Sequence, residues 1–503
     1  MPDHNDVSFN LSNPKIPFKI MRLNSCFPTF PMRHLPCGLR TFASSHSGRH
    51  TQTVGAAQFY LSQGHAVRVR RKSFLILTLA VFGGCVPPDF NRPGPLRASA
   101  VYDALFPDWA ELCAVSQISK NPGNGADTSG GPGGHAVMYL QGACLDTRSP
   151  YPVLRACRGD GTGISMNAHF VNANWVGIPG RAFFFDGILR PGEGLTPAAY
   201  QATKAEGQRR GLYSAIAFRD WAVRDRPTGT PREDWKYEVS IGTDYAVSYA
   251  RARYCTRVPM TQAQMQRVID FLNSRNALYR NGPRTFETNV FQDNCNHLTH
   301  NALAAADIWR DWPVDQFVLA AAFSFPVPKN EVVNLLDRIA KHNPADLRAL
   351  YRDPLTRRTL LRDGWLPGEP GVTLDSNPVR APNALYNTNL SLIFYDDPVL
   401  GHYHKAFRSY LDQPRYHDLR ANLLWYRALY QRIEGEKKPR GWWLAREPAD
   451  FAAFYDAYYA WLDREQALVE AGLTQLDAER DANASSPALS GTPQGAPAPA
   501  RVP

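Results

Sequence analysis

FQDNCNHLTHNALAAADIW (291–309) is the stretch on which the reading turns. An Ala- and Leu-rich helix is about to begin, and at its mouth Cys295 stands between Asn294 and Asn296, two residues ahead of His297. A structural cysteine is normally packed among apolar neighbours. This one has polar groups on both sides, which leaves a nucleophile, a metal ligand or an incidental residue of a helix cap. The start of a helix presents unpaired N–H groups and the positive end of its dipole, so it favours a thiolate and can hold a developing oxyanion. Asp293 and Asn294 read as capping residues, with Asn294 and Asn296 marking the helix start and its oxyanion site.

The metal reading rests on Cys295, His297 and His300, a C-x-H-x-x-H pattern. No C-x-x-C or H-E-x-x-H pattern accompanies it, so no metal or other cofactor is expected. Cysteine parity favours the nucleophile. The chain has eight cysteines: Cys26 and Cys37 lie in an unpatterned leader, and Cys85 closes a signal-like segment. Of the remaining five, Cys113, Cys144, Cys157 and Cys255 suffice for two disulfides, which leaves Cys295 as the free thiol.

That signal-like segment is RVRRKSFLILTLAVFGGCVPPDF (68–90). Four basic residues precede an apolar run from Phe74 to Phe82, too short to span a bilayer comfortably. Gly83, Gly84 and Cys85 then resemble a bacterial lipoprotein signal, which implies lipidation of Cys85; Phe82 stands where such signals usually carry Leu. Residues 67–85 are therefore read as the signal and 1–66 as a leader upstream of the true translation start. Charge agrees. Residues 1–84 carry a net +8, and the rest of the chain, with 46 basic and 44 acidic side chains, only +2. The body has no basic footprint for nucleic acid.

Residues 86–130 read as a linker with a helical patch at 99–115. GGPGGHAVMYLQGACL (130–145) then opens a strand at His135, residues 163–178 read as a strand pair, 196–224 as helical, and WKYEVSIG (235–242) as a further strand. TQAQMQRVIDFLNSRN (261–276) is an amphipathic helix capped by Thr261, with Met265, Val268, Ile269 and Leu272 on one face. From 326 to 480 the strand pattern fades into helices, the last of which aligns Phe451, Phe454, Tyr455, Tyr458 and Leu462 as a core stripe. Residues 481–503 read as a disordered tail. The class is α+β, with a thiol domain over 131–325 and a mostly helical domain over 326–480.

A thiol nucleophile needs a base, and His135, following flexible glycines at the start of a strand, is the natural one. Asn172, Asn174 and Asp146 are available to orient it. Histidine early on a strand and cysteine later on a helix resembles the circularly permuted papain-like superfamily, the NlpC-like proteins among them. The order GHAVMYL, ISMNAHF, GIPGRAFF, DWKYEVSI, VPMTQAQMQRVIDFL and NVFQDNCNHLTHNAL, over about 170 residues (133–305), is similar to the periplasmic domain of Lnb-type lipoprotein N-acyltransferases. That resemblance implies a permuted papain-like fold and puts His169 in the orienting role. The family's following membrane helices have no counterpart in the apolar runs after residue 86. The expectation is an exported, lipid-anchored protein of the bacterial periplasm and outer membrane that transfers acyl groups on lipid or lipoprotein. A peptidoglycan peptide hydrolase and a non-catalytic envelope scaffold are the alternatives.

Overall fold

WAELCAV (Trp109–Val115, β2) is buried at all seven positions, as only a central strand can be. In this computed structural model β2 pairs antiparallel along its whole length with β3 (His135–Gln141) on one side and β8 (Arg253–Pro259) on the other. The sheet continues outward to β6 (Thr162–Ser165) and β7 (Val176–Pro179) beyond β3, and to β9 (Thr373–Asn377) beyond β8. The six-stranded order is therefore β7-β6-β3-β2-β8-β9. The structure describes residues 100–128, 134–282, 284–289, 293–314, 328–390 and 403–482, and the backbone alone of 83–85, 393–395 and 483–485. The leader, the signal segment before Gly83, the side chain of Cys85, residues 86–99 and the tail after 485 lie outside the described residues.

Residues 109–115 thus correct the expected linker, whose helical patch shrinks to α1 (Ala100–Leu105). Burial acts to raise the Glu111 carboxyl, but Arg181, bidentate at 2.8 and 2.9 Å, together with Arg257 holds it down at about 2. Arg181 opens α2 (Arg181–Asp186), which packs on this face of the sheet. There Gly163 makes room: a Cβ would come within 2.2 Å of the Phe184 ring.

WKYEVSIG departs from expectation more sharply. It forms α4 (Arg232–Ser240), capped by Pro231 and carrying Glu233 and Asp234 in its first turn. Trp235 to Ser240 are all buried, so no polar face marks the helical period. Glu238 can sit inside because Lys120 at 2.7 Å, Lys204 at 3.0 Å and Tyr200 at 2.8 Å meet its carboxylate. The helical span 196–224 resolves into α3 (Pro197–Arg209) and a 3-10 turn at Asp220–Val223.

α5 (Gln262–Arg280) starts at a capping box between Thr261 and Gln264 and buries Met265, Val268, Ile269 and Leu272 as its period requires. α6 (Cys295–Ala305) packs on α5 and β3, and α7 (Pro328–Ala340) covers β2 and β8. Beyond them lie α8 (Leu347–Arg352), α9 (Pro354–Asp363), α10 (Tyr403–Leu411), α11 (Leu419–Gly435), α12 (Arg440–Leu444) and α13 (Phe451–Ser485). Phe451, Phe454, Tyr455, Tyr458 and Leu462 of α13 are buried, the core stripe expected. α13 runs into the stretch read as tail, and β9 joins the central sheet from within the region read as mostly helical. The described residues from Ala100 onward fall within one compact unit. Two short ribbons complete it: β4 (Ala143–Leu145) with β5 (Leu154–Ala156), and β1 (Gly83–Cys85) with β10 (Ile393–Tyr395).

Cys113 and Cys255, opposed on β2 and β8, are bonded, as are Cys144 and Cys157. Cys295 is the free cysteine among the described residues. The Cys113–Cys255 link closes a chain segment of 142 residues. Replacing both with alanine is expected to cost about 5 kcal/mol through the freed unfolded chain, read as a lower urea midpoint; an unchanged midpoint would show that the link adds nothing to the sheet.

Candidate functional site

α6 begins where Asn294 caps it. Its side-chain oxygen accepts the amides of Asn296 at 2.8 Å and His297 at 3.1 Å. Asp293 is drawn off to Arg275 at 2.6 Å. Of the residues expected at the oxyanion site, Asn294 thus serves the helix, and the Asn296 side chain is fully buried with neither polar atom bonded. Cys295 is half-buried, and its sulfur accepts the amide of Ala136 at 3.4 Å. The bond joins the helix start to β3, next to His135.

Gly134 precedes the histidine at φ +72°, in the left-handed region, and a Cβ there would lie 2.4 Å from the Val115 carbonyl oxygen. Glycine is required at that entry. The His135 ring is buried, with Nε2 3.2 Å from Ser165 Oγ. Ser165 in turn donates to Asp244 Oδ1 at 2.7 Å, while Asp244 Oδ2 accepts from Asn167 at 3.0 Å and Tyr213 at 3.4 Å. Arg251 lies buried beside this chain, donating from Nη1 to the Ser116 carbonyl at 2.6 Å and from Nε to that of Gly242 at 3.2 Å.

The electrostatics differ from the thiolate that the helix start alone predicts. Burial pushes the Cys295 thiol above its ordinary value; the Ala136 amide, Arg251 and the amides of residues 296 and 295 pull the other way without reversing it. Burial, reinforced by Arg251, lowers the His135 imidazole to about 3. Burial also raises Asp244 against the bonds from Asn167 and Ser165, and lowers Arg251 to about 10 despite Asp244 and Cys295. At neutral pH the sulfur and the imidazole therefore both rest uncharged.

His169, expected to orient His135, is placed elsewhere. Its ring meets Trp221 edge-on at 5.1 Å and Phe218 at 6.1 Å, and its buried Nδ1 has no partner. Ser165 occupies the place on the His135 ring instead. Sequence reasoning missed Ser165, Asp244 and Arg251. Ser165 stood inside the quoted ISMNAHF, but Asp244 follows a segment read as a strand and offered no signal.

The C-x-H-x-x-H residues diverge as well. His297 Nδ1 lies 3.1 Å from Asn294 Oδ1. His300 is stacked between Trp309 and Trp312 at 4.3 and 3.8 Å, with its nitrogens on Glu331 Oε1 and the Arg310 carbonyl. Among the described residues no group of three His, Cys, Asp or Glu side chains is placed to hold a metal ion, and no helix is long and apolar enough to cross a membrane. A cavity of about 530 Å³ opens along another side of α6, over His297, Asn301, Trp309 and Trp312, and Cys295 is not part of its lining.

Comparison of the chain with protein-family models, with curated proteins and with solved structures finds no match.

The placement of His169 is testable. Burial lowers its imidazole to about 4, so the neutral form is the folded one, and its contribution to stability is lost as pH falls from about 6.5 through 4. His169→Phe is expected to make unfolding less acid-sensitive across that window while leaving the reactivity of Cys295 unchanged. Loss of thiol reactivity in this variant would return His169 to the site.

Proposed function

We propose that the chain is a thiol acyltransferase of permuted papain-like type acting on lipid or lipoprotein. The observation that carries the reading is the sulfur of a free cysteine at a helix start, bonded to the amide next to a histidine whose ring meets a hydroxyl that in turn donates to a carboxylate. The strand-borne histidine preceding the helix-borne cysteine, and the ordered motifs over 133–305, support the same reading. We also propose lipid anchoring through Cys85 on the periplasmic side of the envelope, on the strength of the segment 68–85.

In the proposed reaction the Cys295 thiol gives its proton to His135 as the sulfur attacks an ester or amide carbonyl. The carbon–oxygen or carbon–nitrogen bond then breaks, and the departing alcohol or amine takes that proton from the imidazolium. The thioester left on Cys295 is attacked by an amine, whose proton passes to His135 while the sulfur leaves and is reprotonated. The nearby amides and Arg251 favour the negative charge that forms on the way.

The test is intact-mass detection of an acyl adduct on Cys295 after incubation with diacyl phospholipid, with a diacyl lipoprotein peptide and, in parallel, with peptidoglycan fragments. An adduct is expected from a lipid donor, absent in Cys295→Ala and reduced roughly 100-fold or more in His135→Ala. Cleavage of peptidoglycan fragments alone would favour the peptide hydrolase, and silence in all three arms the scaffold. Because His135 is held near 3, the base stays unprotonated well below neutrality. Acylation is therefore expected to persist at pH 5, where an ordinary imidazole is mostly charged; a fall centred near pH 6.5 would contradict the burial of this ring.

A further inference from the structure

Three groups converge on the Asp244 carboxylate, and each has a hydrogen to give: Ser165 Oγ on Oδ1, and Asn167 Nδ2 and Tyr213 OH on Oδ2. A carboxylate only accepts. Ser165 has one proton, and at 2.7 Å it goes to Asp244. The serine then meets the His135 ring with lone pairs alone, so the nitrogen 3.2 Å away must carry the hydrogen. A neutral imidazole has one N–H, and its other nitrogen is bare.

We propose that Asp244, acting through Ser165, is a positioning device that fixes His135 as the Nε2–H tautomer and so reserves the Nδ1 lone pair for the Cys295 proton. The inference rests on the thiol acyl-transfer reading. The relay is anchored by separate elements. Ser165 ends β6, Asp244 sits in the turn after α4 with its amide on the Ser240 carbonyl at 2.8 Å, and Tyr213 follows α3. Arg251 is the buried cation beside the carboxylate, and Cys295 and Tyr386 are the other ionisable groups that face it. A serine between carboxylate and imidazole adds a switching property that a direct contact lacks: its proton can point either way, and Asp244 decides which.

Asp244→Asn tests this. The carbonyl of the introduced amide is best placed toward Asn167 and Tyr213, the two donors, which turns its NH₂ toward Ser165. The serine must then accept from that NH₂ and donate to His135, which flips the ring to the Nδ1–H form that cannot take the thiol proton. The full chain, labelled with ¹⁵N-histidine and assigned against His135→Gln, reports the tautomer by NMR. Release of p-nitrophenolate from p-nitrophenyl butyrate reports acylation of Cys295 at pH 7.5. Wild-type protein is expected to show Nε2–H. Asp244→Asn is expected to show Nδ1–H with acylation slowed by up to about 10⁴-fold, the scale seen when a triad carboxylate becomes an amide.

The paired change Asn167→Asp with Asp244→Asn supplies an acceptor for the amide, turns its carbonyl back toward Ser165, and is expected to restore both tautomer and rate. A merely structural role for Asp244 predicts no such rescue. Should Asp244→Asn fail to fold, Ser165→Ala carries the test, with a mixture of tautomers and an intermediate rate expected. Nδ1–H in the wild type, or an unchanged tautomer in both variants, overturns the relay. Acylation that survives His135→Ala overturns instead the acyl-transfer reading on which it rests, and the NMR readout separates the two failures.

Discussion

The amide of Ala136 has nowhere else to go. β6 pairs with β3 only at Met138 to Leu140, so on that side the ladder stops short of residue 136. A buried N–H without a partner costs about 1–3 kcal/mol, and the Cys295 sulfur fills the place that a strand carbonyl would have taken. That bond fixes the start of α6 against the sheet across 159 residues of sequence. β3 is itself held by β2, and β2 is bonded to β8 through Cys113 and Cys255. Moving α6 would expose both the amide and the sulfur, so the location of the thiol follows from where one strand ends.

Two buried acids other than Asp244 are met by opposite charge in direct contact. Glu111 has Arg181 and Arg257, and Glu238 has Lys120 and Lys204. Asp244 is treated differently: it is met by neutral donors, Ser165, Asn167 and Tyr213 with Ser240 beside them, and Arg251 acts at longer range. A carboxylate satisfied by hydrogen bonds rather than by a contact ion pair leaves its serine neighbour under directional control, whereas a bidentate arginine would have occupied both oxygens.

What was legible in the sequence is what obeys local rules. Cys295 stood out by parity and by its polar neighbours, α5 by its Thr261 cap and apolar face, β3 by alternation after glycine, and the α13 stripe by its spacing. Two of the failures share one cause, which is burial on every side. β2 and residues 235–240 of α4 have no solvent face, so the first shows no strand alternation, and Trp235, Tyr237 and Val239 made a helix resemble a strand. β9 was hidden because Thr373–Asn377 is short and polar, and it is a strand only because β8 offers it an edge. The Ser165–Asp244 contact spans 79 residues and depends on the turn after a misread helix. The resemblance that put His169 in the orienting role counted positions along a motif and could not tell which side chain turns inward.

A thiol that burial pushes upward looks like a poor nucleophile, yet in the proposed reaction this favours selectivity for the transition state. With sulfur and imidazole both neutral at rest, the N–H of Ala136 makes only a weak bond to a thiol. As the proton moves to His135, the same bond becomes a charge-assisted one to a forming thiolate and strengthens. Arg251, the dipole of α6 and the amides at its start gain in the same step, because all of them face charge that did not exist before. An ion pair formed in advance would have spent those interactions on the ground state. Donors assembled around an uncharged pair instead lower the barrier, because they bind more tightly only once the reaction has begun.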